Sequence, residues 1–376
     1  MDQAESEISR EAWYALAASC MPSFTPVRQH QLLACTETFE RLFTGESVEF
    51  NDVVNSEIQR VRRALQNDHL RRDIDSKMTV CAHVKAQLIA VTEPEYPVQL
   101  KALAMAPPLL FVLGDPVALH LPQLAVVGSR RMTPVGASNA RNWSRNLAES
   151  GFTLTSGLAL GIDAIAHKAA LDVPGARTVA VMATGIDIIY PRRHSELAQR
   201  IEALSSCLVT EFLPAQQALP RHFPQRDRLI SGLSLGVLVV EAAMKSGSLI
   251  TARLGMEQNK EVFAIPGSVH NPLARGCHYL IKQGAHLVDT ASDITDQLQS
   301  ALQGLRPSKS EDPASVILAP TLAESQLLAV IGYEPIDIDH LTVLSGCEVA
   351  ALSALLIGLE LRGLVSQKEG LYHRFC

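Results

Sequence analysis

The sequence predicts an α/β protein built on a Rossmann-like doubly wound sheet, with a helical N-terminal segment and a C-terminal winged-helix domain. The main observation lies in residues 79–300, where short apolar runs alternate with glycine-containing turns and helical stretches. Near-continuous runs of Val, Ile and Leu are typical of parallel strands that helices cover on both faces. Residues 1–78 contain helical stretches instead, such as 11–20 and 51–70, and predict a helical domain.

Nine short apolar runs predict the strands of the sheet, because each ends at a turn signal before a helix could form. The runs begin at Gln87, Leu109, Leu124, Phe152, Thr178, Cys207, Gly236, Glu261 and Ala285. Amphipathic stretches at residues 134–150 and 163–171 predict helices between them. This alternation of strand, turn and helix predicts the doubly wound sheet.

The chain after residue 300 predicts a separate module. Residues 301–314 are polar and contain Pro and Ser, as expected of a linker. Three helical stretches follow, at 322–331, 337–344 and 348–362, and residues 363–375 predict a hairpin around Glu369 and Gly370. Three helices and a terminal hairpin indicate a winged helix-turn-helix over residues 315–376.

Composition narrows the classes of function. The net charge of −6 excludes a strongly basic, histone-like binder, so any nucleic-acid site must be a local patch. Seven scattered cysteines without a CxxC pair argue against a zinc ribbon and suit a reducing compartment. The first ten residues are polar and acidic rather than a signal peptide, and no apolar run has the length of a membrane helix. We therefore expect a cytoplasmic protein without a membrane partner.

One loop that follows a predicted strand has the composition of an anion site. Open α/β sheets bind ligands beyond the carboxyl ends of their strands. Gly128, Ser129 and Arg130 stand at such an end and offer backbone N–H groups, a hydroxyl and a guanidinium, and Ser156 and Gly157 stand at the next one. A simple tight turn is the alternative at 128–130.

A second candidate anion site follows the run that begins at Gly236. Here a cation, hydroxyls and free amides coincide at the start of a predicted helix. The residues concerned are Lys245, Ser246, Gly247, Ser248 and Thr251. Three other polar residues near strand ends receive structural interpretations: a helix N-cap for Asp163, a packed or hydrogen-bonded side chain for His167, and a cap or a partner of a nearby base for Glu241.

A basic segment places three arginines around one aromatic ring, because Arg221, Arg226 and Arg228 flank Phe223. Phosphate contacts and one ring for base stacking are what a binder of single-stranded nucleic acid needs. Residues 221–282 hold eight Lys and Arg against four Asp and Glu, a clear basic bias in an acidic chain. The alternative is an interior Phe223 beside solvated arginines.

Several motifs of catalysis are absent from the sequence. It contains no GxxxxGK[ST] phosphate loop, and the strand–turn–helix at 124–136 lacks GxGxxG. No GxSxG elbow, paired-histidine zinc motif or Cys/His nucleophile pattern is present, and the acidic residues are too scattered to indicate a metal. We therefore expect no catalytic residue, no metal and no cofactor.

Six motifs in order resemble those of the DprA (DNA-processing protein A, or Smf) family, over roughly residues 88–296. They are GSR at 128–130, SGLALGIDAIAH at 156–167, GIDIIYP at 185–191, HFPQRDRLISGLS at 222–234, VVEAAMKSGSLITAR at 239–253 and VFAIPGS at 262–268. The resemblance implies a recombination mediator of natural transformation. Such a protein binds and protects incoming single-stranded DNA, forms a homodimer and loads the RecA recombinase, without being an enzyme.

The resemblance also implies a positively charged pocket on the Rossmann-like domain. Arg130 would bind a phosphate, Ser246 and Ser248 would do so through hydroxyl and amide groups, and further arginines would line the pocket. With the residues inferred from local chemistry, the expected nucleic-acid-binding set is Gly128, Ser129, Arg130, Ser156, Gly157, Arg221, Phe223, Arg226, Arg228, Lys245, Ser246, Gly247, Ser248, Thr251 and Arg253.

The sequence departs from the family pattern at two positions near this pocket. Leu160 stands where the family has Arg, and Asp227 stands where it has Asn. Both changes lower the positive charge, although Asp227 could orient Arg226 or Arg228. The N-terminal segment lies where relatives carry a small SAM-like helical domain, but it shows no clear Gly-x-Gly-Pro hairpin.

The predicted winged helix has an unexpected charge for a DNA reader. Residues 315–376 hold three Lys and Arg against seven Asp and Glu, and the would-be recognition helix carries Glu348 and Glu360. Groove binding depends on neutralising phosphates. We therefore expect this module to contact protein, or its own partner subunit, rather than duplex DNA.

Two other classes of function are weighed against the binding protein. The fold resembles that of nucleoside-monophosphate phosphoribohydrolases, which use a Pro-Gly-Gly-x-Gly-Thr loop followed by a catalytic Glu. Residues 266–271, PGSVHN, lack both the glycine run and the Glu. A transcription regulator that uses the winged helix is the third interpretation, and the acidic balance of that module counts against it.

Overall fold

The computed structural model describes residues 8–21, 24–45, 52–305, 327, 330–331, 336–345, 349–361, 365–368 and 371–374. The chain divides into two compact units, Met1–Arg306 and Pro307–Cys376. In the described residues no helix is both long and apolar enough to cross a membrane.

The strands of the first unit follow the nine predicted runs. They are β1 (Gln87–Ala90), β2 (Leu109–Gly114), β3 (Gln123–Val127), β4 (Thr153–Ser156), β5 (Thr178–Val181), β6 (Cys207–Thr210), β7 (Gly236–Val239), β8 (Glu261–Ala264) and β9 (His286–Leu287). They form one sheet in the order β1-β2-β6-β5-β4-β3-β7-β8-β9. The strands from β6 to β9 in this order are parallel, whereas β1 and β2 are joined to the edge of β6 by antiparallel pairing. The apolar runs predict a parallel sheet, which β3 to β9 form, whereas β1 and β2 depart from this prediction by antiparallel pairing.

Helices cover both faces of the sheet, as the apolar runs predict. They are α1 (Arg10–Ser19), α2 (Pro26–Thr36), α3 (Phe39–Thr44), α4 (Asp52–Ala64), α5 (Asp68–Val84), α6 (Val98–Lys101), α7 (Pro134–Glu149), α8 (Ile162–Leu171), α9 (Ser195–Ala203), α10 (His222–Leu233), α11 (Ser248–Glu257), α12 (Arg275–Lys282) and α13 (Ala291–Leu305). On β3, Ala125 and Val127 belong to one hydrophobic core, whereas Leu124 and Val126 belong to the other. Successive side chains of a strand point to opposite faces, so this division places a core on each side.

The N-terminal helices pack on the sheet rather than standing apart from it. Leu16 of α1 and Phe39 at the start of α3 are fully buried in the same core as β1 and β2. The single helix predicted over 51–70 is two helices, because Asn67 caps α5 by accepting a hydrogen bond from the N–H of His69. Residue 78 lies inside α5, and residues 301–305 of the predicted linker belong to α13.

The second unit has the strands and helices of a winged helix. Its described elements are β10 (Ile336–Asp337), α14 (Ile338–Ser345), α15 (Val349–Leu361), β11 (Val365–Lys368) and β12 (Leu371–Arg374). The strands form an antiparallel sheet in the order β10-β12-β11. The hairpin and the last two helices match the prediction within one or two residues. Most of the helix predicted at 322–331 and the turn at 369–370 lie outside the described residues.

Candidate nucleic-acid interface

A cleft lies between β3 and β7, at the point where the order of the strands in the sheet reverses. After β3 the chain adds β4, β5 and β6 on one side, and β7, β8 and β9 then follow on the other. Loops diverge at such a switch point and leave a crevice at the carboxyl ends of the two central strands. The cleft has a volume of about 510 Å³. Its lining includes Gly128, Ser129, Arg130, Arg131, Asp163, Phe223, Arg226, Asp227, Lys245, Ser246, Gly247, Ser248 and Thr251.

The loop after β3 forms one wall of the cleft. Gly128 has no room for a side chain, since a Cβ atom would lie 2.7 Å from Cγ1 of Ile162. The N–H of Ser129 donates to the carbonyl of Glu241 at 2.7 Å, so this amide serves the fold rather than a ligand. Arg130 is exposed, and its guanidinium carbon lies 5.2 Å from the ring centre of Phe223. The wall therefore offers an arginine and a hydroxyl.

The start of α11 forms the opposite wall. Within the described residues, the N–H groups of Gly247 and Ser248 find no protein acceptor. The hydroxyls of Ser246 and Ser248 lie 2.7 Å apart. Lys245 is exposed and forms no ion pair with any residue that the structure describes. A helix N-terminus carries a partial positive charge, and free amides there bind phosphate. The loop at 245–248 therefore brings together two free amides, two hydroxyls and a lysine at a helix start, and its assignment as an anion site stays a prediction.

An aromatic ring closes one end of the cleft. Phe223 is half-buried near the start of α10, with the guanidinium carbons of Arg130 and Arg226 at 5.2 and 5.8 Å from its ring centre. The ring of Tyr190 lies 6.0 Å away at 60° and is 49% exposed. A smaller cavity of about 50 Å³ is lined by both rings and by Arg130 and Arg226. The sequence analysis assigned no role to Tyr190. Its position as an aromatic residue beyond the end of a strand could have indicated a second stacking ring.

The floor of the cleft holds an arginine between two carboxylates. Arg226 is 5% exposed; its Nη1 lies 3.9 Å from Oδ2 of Asp163, and its Nε lies 3.5 Å from Oδ1 of Asp227. Burial raises the pKa of Asp227 to about 6, an effect that Arg226 opposes. Burial likewise raises the pKa of Asp163 above its ordinary value, again against the attraction of Arg226.

Ser156 and Gly157 support this floor and do not face a ligand with their polar groups. The Ser156 hydroxyl is fully buried and donates to the carbonyl of Val126 at 2.7 Å. The N–H of Gly157 donates to Oδ2 of Asp163 at 3.1 Å. The interpretation of Asp163 as a helix N-cap is therefore wrong: Gly161 is the N-cap of α8, and Asp163 lies inside the first turn.

Three of the expected arginines lie outside the residues that line the cleft. Arg228 is half-buried and pairs with Glu211, so Asp227 orients Arg226 and not Arg228. Arg253 has 79% of its side chain exposed and pairs with Glu257 on the same helix. Arg221 is exposed at the N-cap of α10. The side chains of these three arginines therefore do not line the cleft, whereas those of Arg130 and Arg226 do.

Glu241 and His167 have the structural roles that the sequence indicates. Glu241 accepts hydrogen bonds from the backbone and hydroxyl of Thr133 and from the amide of Asn271. His167 is fully buried, and its Nδ1 lies 2.7 Å from the hydroxyl of Thr178. Burial lowers the pKa of His167 to about 3, so its ring is neutral at physiological pH.

The fold and the cleft define a class: a Rossmann-like α/β protein with a crevice lined by basic and hydroxyl side chains at the switch point of its sheet. The profile of the family described as DNA recombination-mediator protein A matches residues 87–299, and that of the DprA winged helix domain matches residues 310–370. The chain belongs to the DNA recombination-mediator protein A (DprA/Smf) family.

Individual relatives cover large parts of the chain. Protein Smf of Escherichia coli is 42% identical over 309 residues, which are 81% of this chain and 81% of that protein. DNA processing protein DprA of Streptococcus pneumoniae is 43% identical over 204 residues, or 54% of this chain and 71% of that protein. The X-ray structure of S. pneumoniae DprA has a TM-score of 0.62 and 33% identity over 77% of this chain and 98% of the other.

A further solved structure concerns the single-stranded DNA binding mode of DNA processing protein A from Helicobacter pylori. Its TM-score is 0.52 and its identity is 28%, over 58% of this chain and 98% of that chain. These relatives support the Rossmann-like fold and the family.

Proposed function

We propose that the cleft holds single-stranded DNA, with phosphates on the loops at 128–130 and 245–248 and a base against Phe223. One observation carries the proposal: unpaired donors, exposed cations and a half-buried aromatic ring share one cleft. Backbone phosphates need the donors and cations, and a base needs the ring. The single-stranded DNA binding mode described for the H. pylori protein supports this choice of ligand.

The ring argues for an unpaired strand rather than a duplex. Phe223 lies at the end of a cleft between two loops, beside Arg130 and Tyr190. A base can stack on such a ring only when one of its faces is free, which a single strand allows and the interior of a duplex does not. Stacking accepts every base, so we expect little sequence preference and a strong dependence on salt.

The broader role that we propose is that of a non-enzymatic recombination mediator. The protein, as a homodimer in the cytoplasm, would protect incoming single-stranded DNA and load RecA on it during natural transformation. Membership of the DNA recombination-mediator protein A family supports this role. The formation of RecA filaments on single-stranded DNA, with and without the protein, tests it: an unchanged rate would contradict RecA loading.

We further propose that the winged helix contacts protein rather than duplex DNA. Support comes from the three Lys and Arg against seven Asp and Glu in residues 315–376. Apolar side chains are also exposed in this unit, with Val343 at 82%, Leu344 at 62% and Val349 at 55%. Exposed apolar groups are typical of protein contacts, and an acidic surface repels phosphates.

The decisive experiment is a titration of labelled single-stranded and duplex oligonucleotides, followed by fluorescence anisotropy over a series of salt concentrations. We expect Arg130→Ala and Lys245→Ala to weaken single-strand binding alike for all sequences, and to lower the slope of log K against log salt by about 0.7 each. Arg200→Ala is the matched control, because Arg200 is half-buried, pairs with Asp172 and does not line the cleft. Unchanged affinity in both cleft variants would contradict the proposed site.

A further inference from the structure

The floor of the cleft contains an acidic side chain where an anion site would be expected to have none. Asp227 lines the cleft together with Arg130, Lys245 and Ser248, and only 10% of its side chain is exposed. A carboxylate so close to phosphate positions weakens anion binding, because buried charges are poorly screened. Its effect therefore depends on what it does to the nearby cations.

Asp227 holds Arg226, the cation that lies deepest in the cleft. Nε of Arg226 lies 3.5 Å from Oδ1 of Asp227 but makes no hydrogen bond within the described residues. The guanidinium occupies the space above Gly157, where a Cβ atom would lie 1.3 Å from Nη1. Arg226 is thus 95% buried with an unused donor, and a second carboxylate, Asp163, lies on its other side.

We propose that Asp227 is an attenuator of the cleft: its carboxylate retains Arg226 on the floor, so that affinity for single-stranded DNA rises when the carboxylate loses its charge. The inference rests on the proposed function and assigns a regulatory residue to the same site. Arg226 has two carboxylates to satisfy and one positive charge, so the floor carries a net negative charge while both acids are ionised. Removal of the charge of Asp227 leaves Arg226 with one carboxylate, Asp163, on its Nη1 side, so that its Nε can donate to a phosphate.

The surroundings of Asp227 make this loss of charge accessible near physiological pH. Three charged groups act on Asp227, namely Arg226 on its own helix, Arg130 after β3 and Asp163 on α8, and the Thr251 hydroxyl on α11 hydrogen-bonds to it. Arg131 and Lys245 line the same cleft. Burial raises the pKa of Asp227 to about 6; Arg226 and Arg130 oppose the rise, and Asp163 adds to it. Protonation of Asp227 between about pH 7 and pH 5 is therefore expected to strengthen binding.

The test is Asp227→Asn in the full-length protein, which keeps the shape of the side chain and removes its charge. We expect the variant to bind single-stranded DNA about five-fold more tightly than the wild type at about pH 8, and equally tightly at about pH 5. The slope of log K against log salt should steepen by about 0.7 if Arg226 gains a phosphate. Asp172→Asn is the control, since Asp172 is exposed and pairs with Arg200 away from the cleft.

The dependence of affinity on pH supplies a second measurement. The affinity of the wild type, divided by that of Asp172→Asn, should stay constant with pH, whereas its ratio to Asp227→Asn should rise as the pH falls. Equal or weaker binding by Asp227→Asn at about pH 8, with a wild type that binds normally, overturns the inference and leaves the proposed function intact. A wild type that fails to bind single-stranded DNA overturns both.

Discussion

The carboxylate of Glu241 accepts two hydrogen bonds from Thr133, one from its backbone N–H and one from its hydroxyl, each at 2.8 Å. Thr133 is the N-cap of α7, and Glu241 ends the strand region of β7. The carboxylate therefore ties the loop after β3 to the loop after β7, which are the two walls of the cleft. A third bond, from the amide of Asn271 at 3.0 Å, completes the arrangement.

Glu241→Gln should weaken both the fold and DNA binding. The amide keeps the size of the carboxylate but must present an NH₂ group to one of three donors, and it loses the favourable charge at a helix N-terminus. We expect a loss of about 1–3 kcal/mol in the free energy of unfolding, measured in urea, and weaker single-strand binding. Glu257→Gln, which changes an exposed partner of Arg253, should cost less than about 0.5 kcal/mol. Equal costs for the two variants would refute the role of Glu241.

Gly161→Ala should disrupt the wall of the cleft that carries Arg130. Gly161 has a φ of +84°, and a Cβ atom there would lie 2.2 Å from the carbonyl oxygen of Ser129. Gly175→Ala is a matched control, since Gly175 has a φ of +77° but no atom within 4 Å of the added Cβ. The control should cost about 1–2 kcal/mol through backbone strain alone, and Gly161→Ala clearly more, with loss of single-strand binding. Equal thermal stabilities would show that the contact with Ser129 is unimportant.

Phe223→Ala should distinguish the contribution of base stacking to the binding free energy from that of the basic side chains. Loss of the ring is expected to cost about 1–3 kcal/mol of binding free energy, because one base loses its stacking partner. The slope of log K against log salt should remain that of the wild type, whereas Arg130→Ala should lower it. Phe223→Tyr should restore most of the affinity. A lowered salt slope in Phe223→Ala would mean that the ring acts by positioning Arg130, whose guanidinium lies 5.2 Å away.

The stability of the first unit should fall as the pH rises toward 7, through Glu211. Burial raises the pKa of Glu211 to about 7, and its partner Arg228 opposes this rise. Because the folded pKa lies above the ordinary value of 4.5, the fold favours the protonated acid and loses stability between about pH 4.5 and pH 7. Glu211→Gln cannot ionise, so its unfolding free energy should decline less over this range than that of the wild type. Parallel pH profiles of the two proteins would contradict this assignment.

Removal of residues 307–376 should leave single-strand binding by the cleft unchanged within about two-fold, since the cleft is built within the unit Met1–Arg306. The full-length protein should show little affinity for duplex DNA at physiological salt, because the winged helix is acidic. Anisotropy titrations of the truncated and full-length proteins measure both. Strong duplex binding that disappears on truncation would show that the winged helix reads DNA.

Local patterns in the sequence are enough to predict the strands, the loops that end them and the hairpin of the winged helix. These features depend on local composition: short apolar runs bounded by turn residues form buried strands, and Lys245 to Gly247 directly precede the helix that begins at Ser248. The tertiary structure decided which side chains share the cleft. Arg226 and Arg228 are two residues apart on one helix, and only the packing of α10 sends one to the floor and the other to Glu211.

Strand order and side-chain contacts are long-range properties, which no local pattern encodes. Ser156 is the last residue of β4 and Ser129 follows β3, yet the Ser156 hydroxyl is buried and donates to the carbonyl of Val126 on the neighbouring strand. Asp163 lies where a helix cap is expected, yet its carboxylate lies 3.9 Å from Nη1 of Arg226, which belongs to the distant helix α10. The residue types of the cleft could therefore be predicted from the sequence. The placement of two carboxylates beside one arginine on its floor could not, because it depends on contacts between distant parts of the chain.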